Sequence, residues 1–421
     1  MIFSLDVRRA RKGDCLILHY GSGGNPGLAL IDGGPAQVYK PHLKPRLAQI
    51  RKARGMSEEK SLPVDLLMVS HIDDDHVNGI LELTSELVIA KDSKRPLPLK
   101  VGSFWHNTFD DIIGNKPDEL LAAVTASYGA ASLGPEPDAE GLSPDVAKVL
   151  ASVGQGFRLR DDARRLKLRI NPQFKGKLVM AEKGGRAIKM GKGLTLTVAG
   201  PMQDELVELQ ESHDAFLEQH KDDRATKKAL ASFTDTSVAN LSSLVVLAEG
   251  GNKRMLLTGD ARGDKILEGL ELAGLLERDG AMHVDILKVP HHGSSHNIDP
   301  IFFQRITADH YVFSGNGDYG NPERETLEML MDSAGNRDFM IHLTYPMVEI
   351  DAGREKDWNK EQQKERNRKI KNPEATTRES WSDKKHSLTA LFADRKDFAK
   401  KVAIVGETET HVIDLLEKVG F

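Results

Sequence analysis

Short apolar runs separated by turn residues recur along the first part of the chain. The runs at residues 2–7, 15–20 and 28–34 predict three successive strands, the last of which ends in a glycine turn. Residues 41–54 have helical spacing, and the apolar run at 64–69 predicts a buried strand. The order therefore changes from successive strands to a mixed α/β pattern.

The second part of the chain alternates strand-like and charged segments. Helices are expected at 117–127, 143–166, 204–232 and 264–276, the third of them highly charged and on the surface. Strands are expected at 194–199, in a hairpin around Gly250 and Gly251, and at 283–290, 310–315 and 338–345. Residues 354–371 carry mixed charges and predict a linker or an exposed helix. The segments SLTALFA (387–393) and KKVAIVG (400–406) resemble a closing pair of strands.

Composition narrows the class of protein. A chain of 421 residues with 39% hydrophobic residues is long enough for one large domain with insertions, or for two. A formal net charge of −5 gives no global attraction to nucleic acid or to an anionic membrane, so such a contact needs a local patch. The N-terminal residues lack an apolar signal core and no long apolar run occurs, so we expect a soluble, cytoplasmic protein without membrane contacts. The single cysteine, Cys15, excludes an internal disulfide and a CxxC zinc site.

The segment SHIDDDHVNGI carries the most distinctive chemistry. Asp73, Asp74 and Asp75 lie between His71 and His76, directly after the predicted strand at 64–69 and before a helical pattern. Carboxylates this close repel one another unless a cation lies among them, and a divalent metal ion is the simplest such cation. The alternative is an acidic helix N-terminus, with Asp75 favoured by the helix dipole and two incidental histidines.

Two later segments share this location at a strand end. LLTGD places Asp260 after one buried strand, and VPHHGS places His291 and His292 after another. Taken singly, a TGD is typical of a strand-ending turn and an HHG of a surface loop. Taken together with the first cluster, they predict an open hydrolytic metal site of imidazole and carboxylate ligands on one sheet edge.

These motifs and their order resemble the metallo-β-lactamase superfamily. HIDDDH resembles its HxHxDH motif with Asp73 in place of the second histidine, and LIDGG, LLTGD and KVPHHGS resemble its other motifs. Together with KGDCLIL and NLSSLVVL, they are most similar to the soluble hydrolase domain of the competence protein ComEC, over residues 1 to about 330. The resemblance implies an α/β fold, a metallo-β-lactamase-like αββα sandwich with helical insertions. We expect a catalytic domain at 1–350 with insertions near 107–191 and 203–235, and a tail at 351–421 packed on the same domain.

The resemblance also implies a division of ligands between one or two divalent ions, Mn²⁺ or Zn²⁺. His71, Asp73 and either His291 or His292 would bind one ion, Asp75 and His76 the other, and Asp260 would bridge them. A metal-bound hydroxide would attack, and the spare histidine or a free aspartate would protonate the leaving group. The residues expected to be catalytic are Asp75, His76, Asp260, His291 and His292.

Other residues are expected around this centre. Asp32 is expected to orient a ligand histidine rather than to bind metal. Asn240 and Ser242 occupy the region where many relatives supply another histidine, and His106 is a weaker substitute that is expected to lie in the core or to line the site. Asn321 stands where relatives often have a histidine, and we expect it, with Asn240 and Ser242, to face the substrate.

The predicted substrate comes from the resemblance. It implies a phosphodiester, with DNA as the first candidate, and Arg158, Arg160, Arg164 and Arg165 are the candidate phosphate contacts. The alternative for that segment is an ordinary charged helix face. Alternative functions are a hydrolase of a small or protein-linked ester, lactone or thioester, and a metal-stabilised scaffold that binds a partner protein. A conditional nuclease effector under a regulatory protein partner, for instance in antiviral defence, is a further hypothesis.

Overall fold

The computed structural model describes residues 1–107, 144–207, 242–406 and 410–421, without the side chains of 144–153. The helix expected at 117–127 and most of that expected at 204–232 lie outside the described residues. The strands are β1 Ile2–Val7, β2 Leu16–Ser22, β3 Asn25–Ile31, β4 Leu62–Met68, β5 Leu99–Trp105, β6 Ile188–Gly191, β7 Leu194–Gly200, β8 Val245–Gly250, β9 Lys253–Leu257, β10 Met282–Lys288, β11 Ile306–Phe313, β12 Met340–Leu343, β13 Val402–Ile404 and β14 Val412–Asp414. The helices are α1 Lys44–Ala53, α2 Asp74–Asp92, α3 Pro144–Leu166, α4 Gly263–Leu272, α5 Pro300–Arg305, α6 Arg324–Ala334, α7 Met347–Lys371, α8 Asp383–His386, α9 Leu388–Asp394 and α10 Lys396–Ala399.

The strands form two sheets in the part of the chain that is described. The first has the spatial order β14-β1-β2-β3-β4-β5, and the second has the order β13-β12-β11-β10-β9-β8-β7-β6. In the first sheet β3, β4 and β5 run parallel to one another, whereas β14, β1, β2 and β3 alternate in direction. In the second sheet β9 to β13 are parallel, and β6 to β9 form antiparallel pairs. The mixed α/β class predicted from the sequence is confirmed.

Apolar side chains divide these elements into layers. One buried cluster joins the facing sides of the two sheets, with Leu18 of β2 and Leu257 of β9 among its members. A second cluster packs Leu287 of β10 against helices of the C-terminal half. A third packs Leu30 of β3 against α1, α2 and α3. The result is a sandwich of helices, sheet, sheet and helices. Because each sheet is covered on both faces, its central strands are apolar along their length.

The C-terminal segment differs from the predicted closing pair of strands. KKVAIVG does form β13, which pairs with β12, but SLTALFA forms α9. Ser387 caps this helix by accepting a hydrogen bond from the Ala390 backbone, and Leu388, Leu391 and Phe392 give it a buried helical stripe. The prediction was wrong because a seven-residue apolar run fits both periods. The charged segment expected as a linker or an exposed helix is helical and lies within α7.

The described helices are also informative about membranes. None of them combines the length and the apolar character that crossing a bilayer requires. The longest, α7, is charged along most of its length.

Candidate metal centre

Four strand ends bring the candidate site together. Asp32 follows β3, and the 71–76 segment, which includes the first turn of α2, follows β4, the parallel neighbour of β3 in the first sheet. Asp260 follows β9, and residues 291–292 follow β10, its parallel neighbour in the second sheet. Because parallel neighbours end at the same edge of a sheet, the four loops meet at one edge of the sandwich.

Asp260 is the centre of this arrangement. Its carboxylate, 2% exposed, is surrounded by four imidazole rings. Oδ2 lies 3.3 Å from His292 Nε2, 3.7 Å from His291 Nε2 and 3.9 Å from His71 Nε2. Oδ1 lies 3.2 Å from His76 Nε2. The Asp260 carboxylate therefore lies between the histidines of the HIDDDH motif and those of the PHHGS motif. A bridging ligand would need this position.

Several sets of side chains in this cluster could hold a metal ion. Ligand atoms lie within 4.8 Å of one another in four sets: His71, His76 and Asp260; Asp75, His76 and His292; Asp14, Asp32 and His76; and Asp14, Asp260 and His292. Imidazole and carboxylate donors without a thiolate suit zinc, manganese or iron. These sets are geometric possibilities among the described residues, and His76 belongs to three of them.

Unsatisfied donor atoms test whether an ion fits. Buried polar atoms in folded proteins nearly always have a hydrogen-bond partner. Among the described residues, five buried atoms of the cluster have no partner of good geometry: His71 Nε2, Asp75 Oδ1, His76 Nε2, Asp260 Oδ1 and His292 Nε2. All five are ligand atoms of the types that divalent ions prefer. The donor set therefore fits a divalent metal ion.

The grouping differs in detail from the predicted division of ligands. His292, and not His291, shares a set with Asp75 and His76. His291 is more exposed than His292 and its Nδ1 lies 2.8 Å from Asn297 Oδ1. Of the two adjacent histidines that the sequence left as alternatives, His292 is the more buried and His291 lies at the mouth of the cluster.

Asp73 is a second difference from the predicted ligand set. It is the N-cap residue of α2, and its Oδ1 accepts a hydrogen bond of 2.8 Å from the Asp74 backbone. Asp73 belongs to none of the candidate metal sets in the described part of the chain. The reason is local, since an aspartate before the first helical residue satisfies a backbone N–H that the helix leaves unpaired. The acidic N-terminus considered for this segment thus coexists with a metal-binding geometry.

Asp32 holds His76 in place from behind. Its Oδ2 lies 2.9 Å from His76 Nδ1, so Nε2 of that ring is directed at Asp260. Ser70 donates to Asp32 twice, from its backbone N–H and from its hydroxyl, both at 2.7 Å. This is the contact that an orienting role requires, because a partner on one ring nitrogen fixes the direction of the other.

Three further residues at the site were not assigned roles from the sequence. Asp14, just before β2, lies 3.5 Å from His292 Nδ1 and 2.5 Å from Lys288 Nζ. Lys288 is 1% exposed and also donates to the Gly259 carbonyl. Ser243 accepts a hydrogen bond from the Asp260 backbone. Asp14 and Lys288 each lie at the end of an apolar run. A charged residue at such a position was the sequence signal that could have identified them as site residues.

Close backbone packing also brings the 10–14 turn to the metal loop. A Cβ atom at Gly13 would lie 1.8 Å from the Asp75 carbonyl oxygen, so only glycine fits there. The Asp14 N–H lies 3.3 Å from the same oxygen. This contact positions Asp14 against a loop that is 61 residues away in the chain, measured to Asp75.

The charges in the cluster shift one another's protonation. Burial opposes ionisation of Asp260, but the neighbouring His292 and His76 hold the pKa of its carboxyl well below its usual range. Burial likewise opposes ionisation of Asp75, and the same histidines with Lys12 lower its pKa to about 2. The carboxylates are therefore ionised at neutral pH and can act as ligands.

The histidines respond in two ways. Burial and the nearby His76 lower the pKa of His71 to about 4, which leaves a neutral imidazole. Burial opposes protonation of His292 as well, but Asp260 and Asp14 outweigh it and raise the pKa to about 8. The pKa of His76 is raised in the same way, chiefly by Asp260 and Asp32 against burial. The negative charge of the neighbouring carboxylates favours protons on these two rings. The same negative charge favours a divalent cation bound to the rings in place of the protons.

The other predicted site residues are more dispersed. Asn240 lies outside the described residues, and Ser242 is 8% exposed beside Ser243. Asn321 is buried, and its Nδ2 lies 3.5 Å from the His291 carbonyl oxygen. His106 is buried against the ring of Phe104, with centroids 4.4 Å apart, and belongs to none of the metal sets found among the described residues.

The candidate phosphate-binding arginines lie on α3, which packs on α2. Leu159 and Ala163 are fully buried on the inner face of α3. Arg158 and Arg164 are exposed, whereas Arg165 forms an ion pair with Asp92 at 2.6 Å. The helix thus packs through one apolar face and exposes charged residues, and the phosphate-binding role of its arginines stays a prediction.

Comparison with known proteins adds little. No protein-family model matches this chain, and no curated protein matches it. Among solved structures, one similar chain comes from Parabacteroides distasonis ATCC 8503 and bears the provisional name of a metal-dependent hydrolase. It is 8% identical, with a TM-score of 0.30, over 80% of this chain and 97% of that chain. This similarity is too low to carry a shared fold or function to this chain.

Proposed function

We propose that this chain is a metal-dependent hydrolase that cleaves phosphodiesters, with DNA as its substrate, on a fold of the metallo-β-lactamase type. The observation that carries the proposal is the set of unsatisfied buried ligand atoms around Asp260. Support for the fold comes from the order of layers and from the strand-end positions of the HIDDDH, LLTGD and PHHGS motifs. These motifs resemble those of the ComEC hydrolase domain.

The residues that would hold metal follow from the cluster. Asp75, His76 and His292 would bind one ion, and His71 with Asp260 would complete a second position. Such an ion lowers the pKa of water toward neutrality and neutralises charge on the attacked phosphoryl oxygen. Mn²⁺ and Zn²⁺ are the ions that this mixed imidazole and carboxylate set favours.

Side chains of the protein orient the metal ligands and transfer the proton. Asp32 and Ser70 hold the His76 ring, so that its Nε2 does not need to reorient during the reaction. His291, at the mouth, is the candidate to exchange a proton with the leaving oxygen. Burial lowers the pKa of His291 despite the nearby Asp260, so its ring is neutral; it can take a proton from the attacking water and then give that proton to the leaving oxygen.

Positive charge near the mouth supports an anionic substrate. Lys12 Nζ lies 3.3 Å from Asp74 Oδ2, one residue from the ligand Asp75, and Arg11 precedes it. The chain carries a formal net charge of −5, so these cations provide a local field that the whole molecule does not. The exposed arginines of α3 extend the same sign of charge.

A cleavage assay tests the proposal. Metal-stripped protein is incubated with plasmid and single-stranded DNA after addition of Mn²⁺, Mg²⁺ or Zn²⁺, and products are resolved on a gel. We expect cleavage that requires one of these ions and that Asp260→Ala abolishes. His296→Ala is the matched control, because His296 is an exposed histidine in the same loop as His292. Wild-type protein that leaves DNA intact in every metal, yet hydrolyses a lactone or a thioester, would exclude the nuclease function.

A further inference from the structure

A cleft of about 350 Å³ opens beside the candidate metal centre. Its walls include Arg11 and Lys12 from the β1–β2 turn, Tyr319 from the turn before α6, and Lys356 and Lys360 from α7. These residues come from distant parts of the chain, so the cleft is a product of the fold.

Two residues of the cleft wall lie close in the chain to residues of the metal centre. Asp74, which also lines it, precedes the ligand Asp75 in the chain. Lys12 precedes the tightly packed Gly13 and thus lies two residues before Asp14. A substrate whose scissile bond reaches the metal centre would place its neighbouring unit in this cleft.

Tyr319 is the unusual residue of the cleft. Its side chain is 65% exposed, and its backbone has a left-handed φ of +57°. A bulky residue rarely adopts that conformation, and residues held in it concentrate at ligand-binding positions. Lys12 Nζ lies 4.7 Å from the centroid of the ring, within the range of a cation–π contact. The ring is thus held in place by a cation and still accessible.

The charged side chains that line the cleft differ in whether they are already paired with another side chain. Four cationic side chains and the carboxylates of Asp74, Asp318 and Asp357 line the cleft. Asp74 is paired with Lys12, and Asp318 accepts a hydrogen bond from Asn316 at 3.0 Å. Lys356 and Lys360 are exposed and make no ion pair within 4 Å to any residue that the structure describes. These two lysines are therefore available to an anionic ligand.

We propose that Tyr319 and Lys12 form a clamp for the nucleotide next to the scissile phosphodiester. Lys12 holds one face of the Tyr319 ring, the base stacks on the open face, and Lys356 and Lys360 contact the flanking phosphates. This inference rests on the proposed function and adds a substrate class to it, namely an unpaired strand. A base inside a duplex is already stacked on its neighbours and cannot reach an aromatic ring without leaving the stack.

Removal of the bases tests the clamp. A single-stranded oligothymidylate is compared with the same backbone carrying abasic tetrahydrofuran units, with cleavage followed as kcat/KM and binding as fluorescence anisotropy. Stacking of a base on an aromatic side chain predicts that wild-type protein prefers the intact strand roughly 5- to 150-fold. In Tyr319→Ala this ratio should fall to about one, whereas Tyr319→Phe and Tyr319→Trp should retain it. Since the ratio compares two substrates of one protein, a general loss of activity leaves it unchanged.

Paired charge variants of α7 test the second half of the clamp. The slope of log affinity against log salt is negative. Lys356→Gln with Lys360→Gln should make it shallower by roughly 0.7 per lost phosphate contact. Lys369→Gln with Lys371→Gln is the matched control, because both lysines are exposed on the last turn of the same helix and lie outside the cleft. Equal slopes for the two double variants would count against the lysine contacts.

The outcomes separate the clamp from the proposed function. A wild-type protein that cleaves intact and abasic strands equally well, or a Tyr319→Ala variant that keeps the preference, overturns the clamp and leaves the nuclease function. A protein that binds with the preference but cleaves neither strand in any metal keeps the clamp and overturns the nuclease function. Absence of both binding and cleavage overturns both.

Discussion

Lys288 Nζ lies 2.5 Å from Asp14 Oδ2 in a part of the core where both side chains are 1% exposed. Burial disfavours the charged form of Asp14, but Lys288 more than compensates and lowers the pKa of its carboxyl. Asp14 also contacts His292, so this ion pair joins the interior of the second sheet to the candidate metal centre.

Removing one member of this pair should be costly. Lys288→Met removes the nearest cation from the buried Asp14 carboxylate and leaves it the longer contact with His292, which we expect to lower the free energy of unfolding by about 3–5 kcal/mol. Adding Asp14→Asn should recover part of the loss, because the uncompensated charge is then gone. Urea unfolding of metal-stripped protein measures both. Lys364→Met, which breaks the surface pair with Glu361, is the control and should cost at most about 1 kcal/mol. A similar loss in the two lysine variants would contradict the buried-pair account.

The metal assignment predicts which side chains control metal content. We expect His76→Ala, Asp75→Ala and Asp260→Ala each to lower the metal bound per chain, because each removes an atom that is otherwise unsatisfied and buried. Elemental analysis of the purified variants, with His296→Ala as control, gives the measurement. Wild-type stoichiometry in all three variants would show that the cluster is not a metal site.

Asp73 gives a sharper test, because its two interpretations predict different losses. As the cap of α2 outside the metal sets, Asp73→Ala should cost about 1 kcal/mol of stability and leave metal content unchanged. Asp73→Asn, which can still cap, should restore most of that stability. A fall in metal content in both variants would instead support the ligand role expected from the HxHxDH resemblance.

The same residues show how far sequence reasoning reaches. The strand-end positions of His71, Asp260 and His292 were predictable, because short apolar runs define buried strands and parallel strands end at one edge. The contact of Asp14 with Lys288 was not, because nothing local in either segment records a partner 274 residues away. The helix at Leu388–Asp394 was missed for another reason, since its apolar run is too short to separate the helical period from the strand period.

A chain of three histidines predicts how stability depends on pH. His342 Nε2 lies 3.0 Å from His310 Nδ1, and His342 Nδ1 lies 2.8 Å from His411 Nε2. Burial and the two neighbouring rings lower the pKa of His342 from 6.5 to about 3. Between these pH values the unfolded chain binds a proton that the folded chain does not, so stability falls as pH falls below 6.5. Above 6.5 this histidine contributes no pH dependence.

The size of this effect follows from the difference in pKa. At about 1.4 kcal/mol per pH unit, the contribution of His342 amounts to about 2 kcal/mol between pH 6.5 and pH 5. His342→Gln keeps hydrogen-bonding groups and removes the titration, so its stability should decline less over that interval than that of the wild type. Urea unfolding of both proteins at each pH, with a chelator present, isolates the difference. Parallel curves for the two proteins would show that His342 does not titrate as a buried neutral ring.

The arginines of α3 are the last test, because they bear on whether the substrate continues beyond the cleft. Gln155 Nε2 lies 3.3 Å from Asp74 Oδ1, so this part of α3 reaches the cleft wall. Arg158 is exposed and follows Gln155 by three residues, which places both on one side of the helix. Arg164 is also exposed but lies nine residues beyond Gln155, which is about 2.5 turns of helix.

If a nucleic-acid backbone runs from the cleft across α3, Arg158→Gln should weaken binding to all sequences alike. Its slope of log affinity against log salt should become shallower by about 0.7 for single-stranded DNA, or about 0.9 for duplex, which is the share of one phosphate contact. Arg164→Gln should leave the slope nearer that of the wild type, and a thermal melt should show both variants folded, since neither side chain is buried. Unchanged slopes in both variants would assign these arginines to a solvated helix face, as the burial of Leu159 and Ala163 on the inner face of α3 also permits.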